Sequence, residues 1–209
     1  MLETEFIAGN APEPNDGWLM IVLHGLGDSM DGYRWMPAAM RLPWMNYLLV
    51  NAPDPYYGGF SWYDFTVETH PGLDRSRTLL ETLLKRQEDL GWRTDRMFLF
   101  GFSQGCLMIL ETGLRYPRAF AGLIGVSGYF HDVPALVRDL TPTSKTQRVL
   151  FTHGTLDPLI PVDSVREQAE RIRMEGVDLR WQEFNKEHTI AGEEELQVIR
   201  RFVEEARKQ

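Results

Sequence analysis

Short, nearly unbroken apolar runs recur along the chain, and between them lie stretches in which apolar residues return every three or four positions. The runs predict strands at Trp18–Leu23, Asn46–Asn51, Arg96–Gly101, Phe120–Val126, Arg148–Thr152 and Asp178–Phe184. They are short and nearly continuous in apolar character, which is the pattern of strands buried on both faces. Helical spacing predicts Asp74–Leu90, where Leu79, Leu80, Leu83 and Leu84 share a side and Gly91 is a stop signal. It also predicts Ser103–Arg115, ending before Tyr116-Pro117, Asp163–Glu175 with Asp163 as N-cap and Gly176 closing it, and Ala191–Arg207. Tyr33–Leu42 is a weaker helix, and Leu2–Ala8 an antiparallel edge strand. Strand and helix alternating over the whole length predict one α/β domain, residues 1–209, built on a mostly parallel, doubly wound sheet with helices on both faces.

Two stretches lack a period. Ala52–Gly72 is rich in Pro, Gly and aromatics, and Gly128–Thr146 has room for one short helix starting near Pro134. Long loops at the carboxyl ends of parallel strands are where ligands bind, so these two are expected to carry specificity. Phe60, Trp62 and Tyr63 in the first are candidate walls for an acyl chain or leaving group.

Composition removes several classes of function. Among 209 residues, 43% are hydrophobic and 25% charged, as in an ordinary globular chain. The net charge of −8 argues against nucleic acid and against anionic bilayers as partners. The apolar runs fall far short of the roughly 20 residues that span a bilayer. Met1-Leu2-Glu3-Thr4-Glu5 is acidic where a signal peptide is basic, so a cytoplasmic location is expected. A lone cysteine, Cys106, leaves no internal disulfide and no cysteine-based metal cluster; it reads as packing.

Gly101-Phe102-Ser103-Gln104-Gly105 closes a predicted strand and opens a predicted helix. G-x-S-x-G in that context is a tight turn that lifts a nucleophilic serine above the sheet, the glycines letting strand and helix approach. A serine hydroxyl needs a base, and the base an orienting acid; in this arrangement both follow the serine, acid before base. Of the histidines after Ser103, His131 comes too early and His153 sits at a strand end, where a structural role suits it. His188, in the loop after the last strand, is the expected base. Asp157, after the strand before that, is the expected acid; its rival Asp163 opens a helix. An oxyanion requires N–H donors. Gln104 follows the nucleophile, and Leu26 lies in Leu23-His24-Gly25-Leu26-Gly27-Asp28, directly after an early strand. That loop lacks the third glycine of a dinucleotide fingerprint and the Gly-Lys-Ser/Thr of a phosphate loop.

With these pieces, Asn51-Ala52-Pro53, Ser61-Trp62-Tyr63-Asp64 and Asp157-Pro158-Leu159-Ile160-Pro161, the chain resembles the phospholipase/carboxylesterase family of α/β-hydrolases. That family includes acyl-protein thioesterases and bacterial carboxylesterases. The resemblance spans nearly the whole chain. It implies an α/β-hydrolase fold, nucleophile Ser103, acid Asp157, base His188, and oxyanion donors Leu26 and Gln104. It also implies a small-molecule ester or thioester substrate, with an acyl-protein thioesterase or a lysophospholipase using the same residues as the alternative, no metal or organic cofactor, and a monomer or homodimer. Two positions depart from the family: Cys106 stands where it has glycine, and Lys186-Glu187 precede His188 where it has glycine. A carboxylate at Glu187 that approached the imidazole would favour its charged form. A hydrolase-fold protein that binds without turnover is the alternative of another class, but it needs none of the three catalytic residue types.

Overall fold

In the computed structural model, which describes residues 1–68 and 70–208, seven strands form a sheet in the order β1-β3-β2-β6-β7-β8-β9. These are β1 (Thr4–Ile7), β2 (Trp18–Leu23), β3 (Met45–Val50), β6 (Met97–Phe102), β7 (Gly122–Val126), β8 (Arg148–Gly154) and β9 (Asp178–Phe184). Only β1 runs antiparallel, against β3, as the N-terminal edge strand was expected to; all other neighbours are parallel. The helices are α1 (Met36–Met40), α2 (Leu73–Asp89), α3 (Gln104–Gly113), α4 (Val133–Asp139), α5 (Val162–Met174) and α6 (Gly192–Arg207).

The unbroken apolar strands have the cause expected of them, except at β9: that strand lies at the sheet edge, alternates polar with apolar residues and buries only one face. Along β2, Leu19, Ile21 and Leu23 enter one core with residues of α2, α3 and α5, while Met20 and Val22 enter a second core with α1 and α6. A strand covered on both faces has no position left for a polar residue. The central helix α3 is buried along its whole length, which places the residues just before it at the middle of the carboxyl edge of the sheet.

Three local expectations need correcting. Tyr33–Leu42 is a 3₁₀ turn, Met30–Tyr33, followed by the five-residue α1, because Pro37 suits only a first helical turn. The N-cap of α5 is Pro161; Asp163 lies inside the first turn and pairs with Arg166, 2.5 Å away. Ala52–Gly72 contains a hairpin, β4 (Asp54–Tyr56) with β5 (Gly59–Ser61), too short to show a period. The short helix expected near Pro134 is α4, capped by the Asp132 carboxylate on the Ala135 N–H.

Candidate active site

Between β6 and α3 the backbone turns so sharply that Ser103 adopts φ 53° and ψ −116°, outside the helical and extended regions. Ser103 N–H donates to Val126 O of β7 at 2.9 Å, tying the turn to the neighbouring strand. The glycines on either side are required by space. A Cβ on Gly101 would lie 2.2 Å from Gly105 O, and one on Gly105 would lie 2.3 Å from Leu23 O. Chain, helix and β2 therefore meet where only hydrogen fits, and the serine side chain is raised clear of the crowding.

Ser103, Asp157 and His188 are brought together. His188 Nε2 is 2.9 Å from Ser103 Oγ, and Nδ1 is 2.7 Å from Asp157 Oδ2. A carboxylate only accepts, so Nδ1 carries the hydrogen and Nε2 is left to accept from the serine hydroxyl. Asp157 Oδ1 accepts from the N–H groups of Leu159 and Ile160, both at 2.9 Å. Burial pushes the Asp157 carboxyl up, but the hydrogen bonds from His188, Ile160 and Leu159 outweigh it and hold the group below the usual carboxylate range.

The acid and base loops are fastened to each other and to the helix behind them. Leu156 N–H donates to Lys186 O at 3.1 Å and Thr155 N–H to Phe184 O at 2.9 Å. His153, fully buried, takes the structural place expected of it: Nε2 donates to Ile160 O at 2.9 Å and lies 3.6 Å from Asp157 Oδ2. Lys186 is buried and its Nζ bonds both oxygens of Glu195 at 2.6 and 2.8 Å, and Glu195 also accepts from Ala191 N–H. This buried pair straddles His188. Glu187 is exposed, and among the described residues its carboxylate forms no ion pair with His188, whose Nδ1 is taken by Asp157.

Beside the serine, the loop after β2 is tied down on each side. His24 Nδ1–H donates to Gly25 O at 2.6 Å, its Nε2 accepts from Ala52 N–H at 3.1 Å, and Trp62 Nε1–H donates to His24 O at 2.9 Å. Burial lowers the His24 pKa, in keeping with the neutral ring those roles require. Gly27 N–H donates to Phe60 O and Phe60 N–H to Asp28 O, so the β4–β5 hairpin clasps this loop. Among the described residues, Leu26 N–H has no backbone acceptor, and Gln104 N–H belongs to the first helical turn, which leaves its N–H groups unpaired. The Gln104 side chain is occupied elsewhere: Oε1 accepts from Trp62 N–H at 2.9 Å and Nε2 donates to Tyr63 O at 3.0 Å.

A cleft of about 590 Å³ opens at this point, walled by the apolar residues Leu26, Phe65, Phe102, Leu159, Ile160 and Pro161. Ser103, Gln104, His188, Tyr63 and Tyr129 complete it. Of the three aromatics expected as walls, Tyr63 lines the cleft and two do not. Trp62 is fully buried with its indole N–H spent on His24, and Phe60 packs against the core beside the His24 ring. Tyr129 lies in Gly128–Thr146, one of the two loops expected to carry specificity, though the sequence singles out no residue of it; Leu159-Ile160-Pro161 reads in the sequence as part of the family's motif and not as a wall. Among the described residues no group of three or more His, Cys, Asp or Glu is placed to hold a metal ion, and no helix is long and apolar enough to cross a membrane.

Residues 5–206 match the phospholipase/carboxylesterase family. The chain belongs to that family. Its relatives include acyl-protein thioesterase 1 of Schizosaccharomyces pombe, 33% identical over 159 residues, which are 68% of this chain and 69% of that protein. Acyl-protein thioesterase 1 of Yarrowia lipolytica is 28% identical over 207 residues, 89% of this chain and 90% of the relative. The crystal structure of esterase PE8 superposes with a TM-score of 0.84 at 25% identity, over 98% of this chain and 99% of that one. Acyl-protein thioesterase 2 of Zea mays, at 20% identity and a TM-score of 0.81 over 98% of each chain, shares the fold. Membership of the phospholipase/carboxylesterase family makes the chain an α/β-hydrolase of the carboxylesterase and thioesterase class.

Proposed function

We propose that the chain hydrolyses carboxylic esters through an acyl-enzyme on Ser103. The observation that carries this reading is the continuous hydrogen-bond line from Asp157 through His188 to Ser103 at the wall of an apolar cleft. Ser103 Oγ attacks the carbonyl carbon while His188 Nε2 takes the hydroxyl proton. The Leu26 and Gln104 N–H groups donate to the oxyanion, which no other group of the chain is needed to neutralise. Collapse breaks the bond to the leaving group, which takes the proton from Nε2. Water then repeats both steps on the acyl-enzyme, restoring the serine. Asp157, ionised well below neutrality, fixes the imidazole with its hydrogen on Nδ1 and stabilises the charge it gains. The chain's own residues supply every proton transfer.

The apolar walls suit an acyl chain. Burying each methylene is worth about 0.8 kcal/mol, so kcat/KM on p-nitrophenyl esters should rise by about four-fold per added methylene until the cleft is full. The thioesterase relatives support a second reading, acylated protein as substrate with the same residues acting. The deciding experiment is a series of p-nitrophenyl esters and matched thioesters of increasing length, run with Ser103→Ala alongside. Loss of turnover by about 10⁴-fold or more in the variant is expected; undiminished turnover would overturn the assignment. Higher kcat/KM on long thioesters than on esters of the same length would favour the thioesterase reading.

A further inference from the structure

Along the wall of the cleft stands a polar chain that no catalytic step uses. Tyr63 OH and Tyr129 OH are 2.9 Å apart, and Tyr129 OH is 2.8 Å from His70 Nε2. His70 Nδ1 is 2.8 Å from Glu68 O. The carbonyl only accepts, so Nδ1 carries the hydrogen of the neutral ring and Nε2 must accept. This fixes the direction of the whole chain: Tyr63 donates to Tyr129, and Tyr129 donates to His70. Burial pushes both phenols up, Tyr63 well above the usual tyrosine value, so each keeps its hydrogen.

A phenol has one hydrogen to give and two lone pairs. Tyr129 gives its hydrogen to His70 and takes one from Tyr63, which leaves one acceptor position. Tyr63 and Tyr129 both line the cleft, but Tyr63 is only 1% exposed whereas Tyr129 is half-buried, and His70 lies outside the lining. The remaining polar cleft groups are spoken for: Ser103 and His188 by each other, and the Gln104 side chain by Trp62 and Tyr63. Away from the Ser103 hydroxyl and the Leu26 and Gln104 N–H groups the walls offer hydrocarbon, so an O–H or N–H group on the substrate's acyl part would lose its water with the Tyr129 oxygen as replacement.

We infer that Tyr129, held by Tyr63 and His70, is a specificity-determining acceptor that makes the cleft select esters carrying a hydroxyl or N–H donor over plain alkyl esters of equal length. This rests on the cleft being the substrate site. The arrangement also carries its own reporter. A protonated His70 must donate from Nε2; Tyr129 then accepts from both neighbours and turns its own hydrogen to the cleft, replacing an acceptor by a donor. The groups facing His70 are the His131 ring, 4.3 Å between centroids, the phenols of Tyr63 and Tyr129, and the carboxylates of Asp64 and Glu68. Burial, reinforced by His131 and opposed by the Glu68 carbonyl, Asp64 and the Glu68 carboxylate, sets His70 below the ordinary histidine value. The preference for donors therefore holds at neutral pH and fades as pH falls through the titration of His70.

The test compares hexanoate with 3-hydroxyhexanoate and 6-hydroxyhexanoate: kcat/KM on the p-nitrophenyl esters, and binding of the methyl esters to the Ser103→Ala chain. Taking the ratio of hydroxylated to plain ester at each pH cancels the titration of the reacting groups. The ratio for the better-placed hydroxyl is expected above one, to fall five- to ten-fold in Tyr129→Phe, and to drop below neutrality in the unaltered chain. His70→Gln, whose amide can still bond Tyr129, should keep the preference and lose the drop. A ratio unmoved by Tyr129→Phe in both kinetics and binding, or a drop that persists in His70→Gln, would overturn the inference. Because binding is read without Ser103, a failed nucleophile assignment leaves this result intact, and the reverse also holds.

Discussion

Two loops flank Ser103 and are built on opposite terms. The loop after β2, residues 24–28, is buried at His24 and held by His24, Trp62 and the β4–β5 hairpin through backbone and side-chain hydrogen bonds. The stretch from the hairpin tip onward puts large apolar groups into water instead: Tyr57 is 95% exposed, Phe65 47% and Val67 44%. Leu159, across the cleft, is 70% exposed. A group that must meet charge developing in a transition state gains from being fixed in advance, because no reorganisation is then needed at the moment of reaction. Groups that take up a substrate's apolar part gain from being exposed beforehand, since their burial drives binding. On the proposed function the two loops would divide these tasks, and substitutions in them should separate kcat from KM.

The largest effect is expected on the fixed side. Asp157→Asn should lower kcat by about 10⁴-fold with little loss of fold, because an amide can donate where the carboxylate only accepted and the imidazole loses its set tautomer. Steady-state kinetics beside circular dichroism checks it. Next, His24→Ala should lower kcat by about 10- to 100-fold with KM changed little, since the loop bearing Leu26 N–H loses its tie to Ala52. Gln104→Ala leaves the Trp62 N–H unpaired in the interior and the Tyr63 carbonyl with the Ser61 hydroxyl alone, and should cost about 1–3 kcal/mol in urea unfolding.

Acidification separates the two sides in another way. His24 and His153 are both pushed by burial below the usual histidine value of 6.5. The folded state favours their neutral forms while the unfolded chain takes up protons first. Their contribution is thus full above pH 6.5 and is lost as pH falls through the depressed folded values. Urea midpoints should decline below pH 6.5, and His24→Gln and His153→Gln should each flatten the decline. The smallest effect is expected on the exposed side: Leu159→Ser should raise KM for long acyl esters by about three-fold, leave kcat nearly unaltered, and leave the pH profile of stability as it was.

Much of this architecture was readable in the amino-acid order, for identifiable reasons. Strands buried on both faces, such as β2 and β7, announce themselves by continuous apolar character, and Ser103 by glycines that backbone contacts of 2.2–2.3 Å demand. Asp157 and His188 followed from their order after strands, and the structure sets them within hydrogen-bond reach. What stayed hidden depends on which way a loop residue faces. Aromatic content drew attention to Trp62 and Phe60, yet the indole is consumed by His24 O, while Tyr129 lines the cleft from a loop with no period. Lys186 and Glu195 were equally silent: two charges nine positions apart say nothing of each other until a loop closes between them.

The central claim is that Ser103 is the acylated residue. The most direct measurement is to label the chain with an alkyl fluorophosphonate and map the adduct by mass spectrometry while following ester turnover. The account predicts one adduct per chain, on the peptide holding Ser103, with activity lost in proportion to labelling and no adduct in Ser103→Ala. Stoichiometric labelling elsewhere, or full turnover by a chain labelled at Ser103, would contradict it.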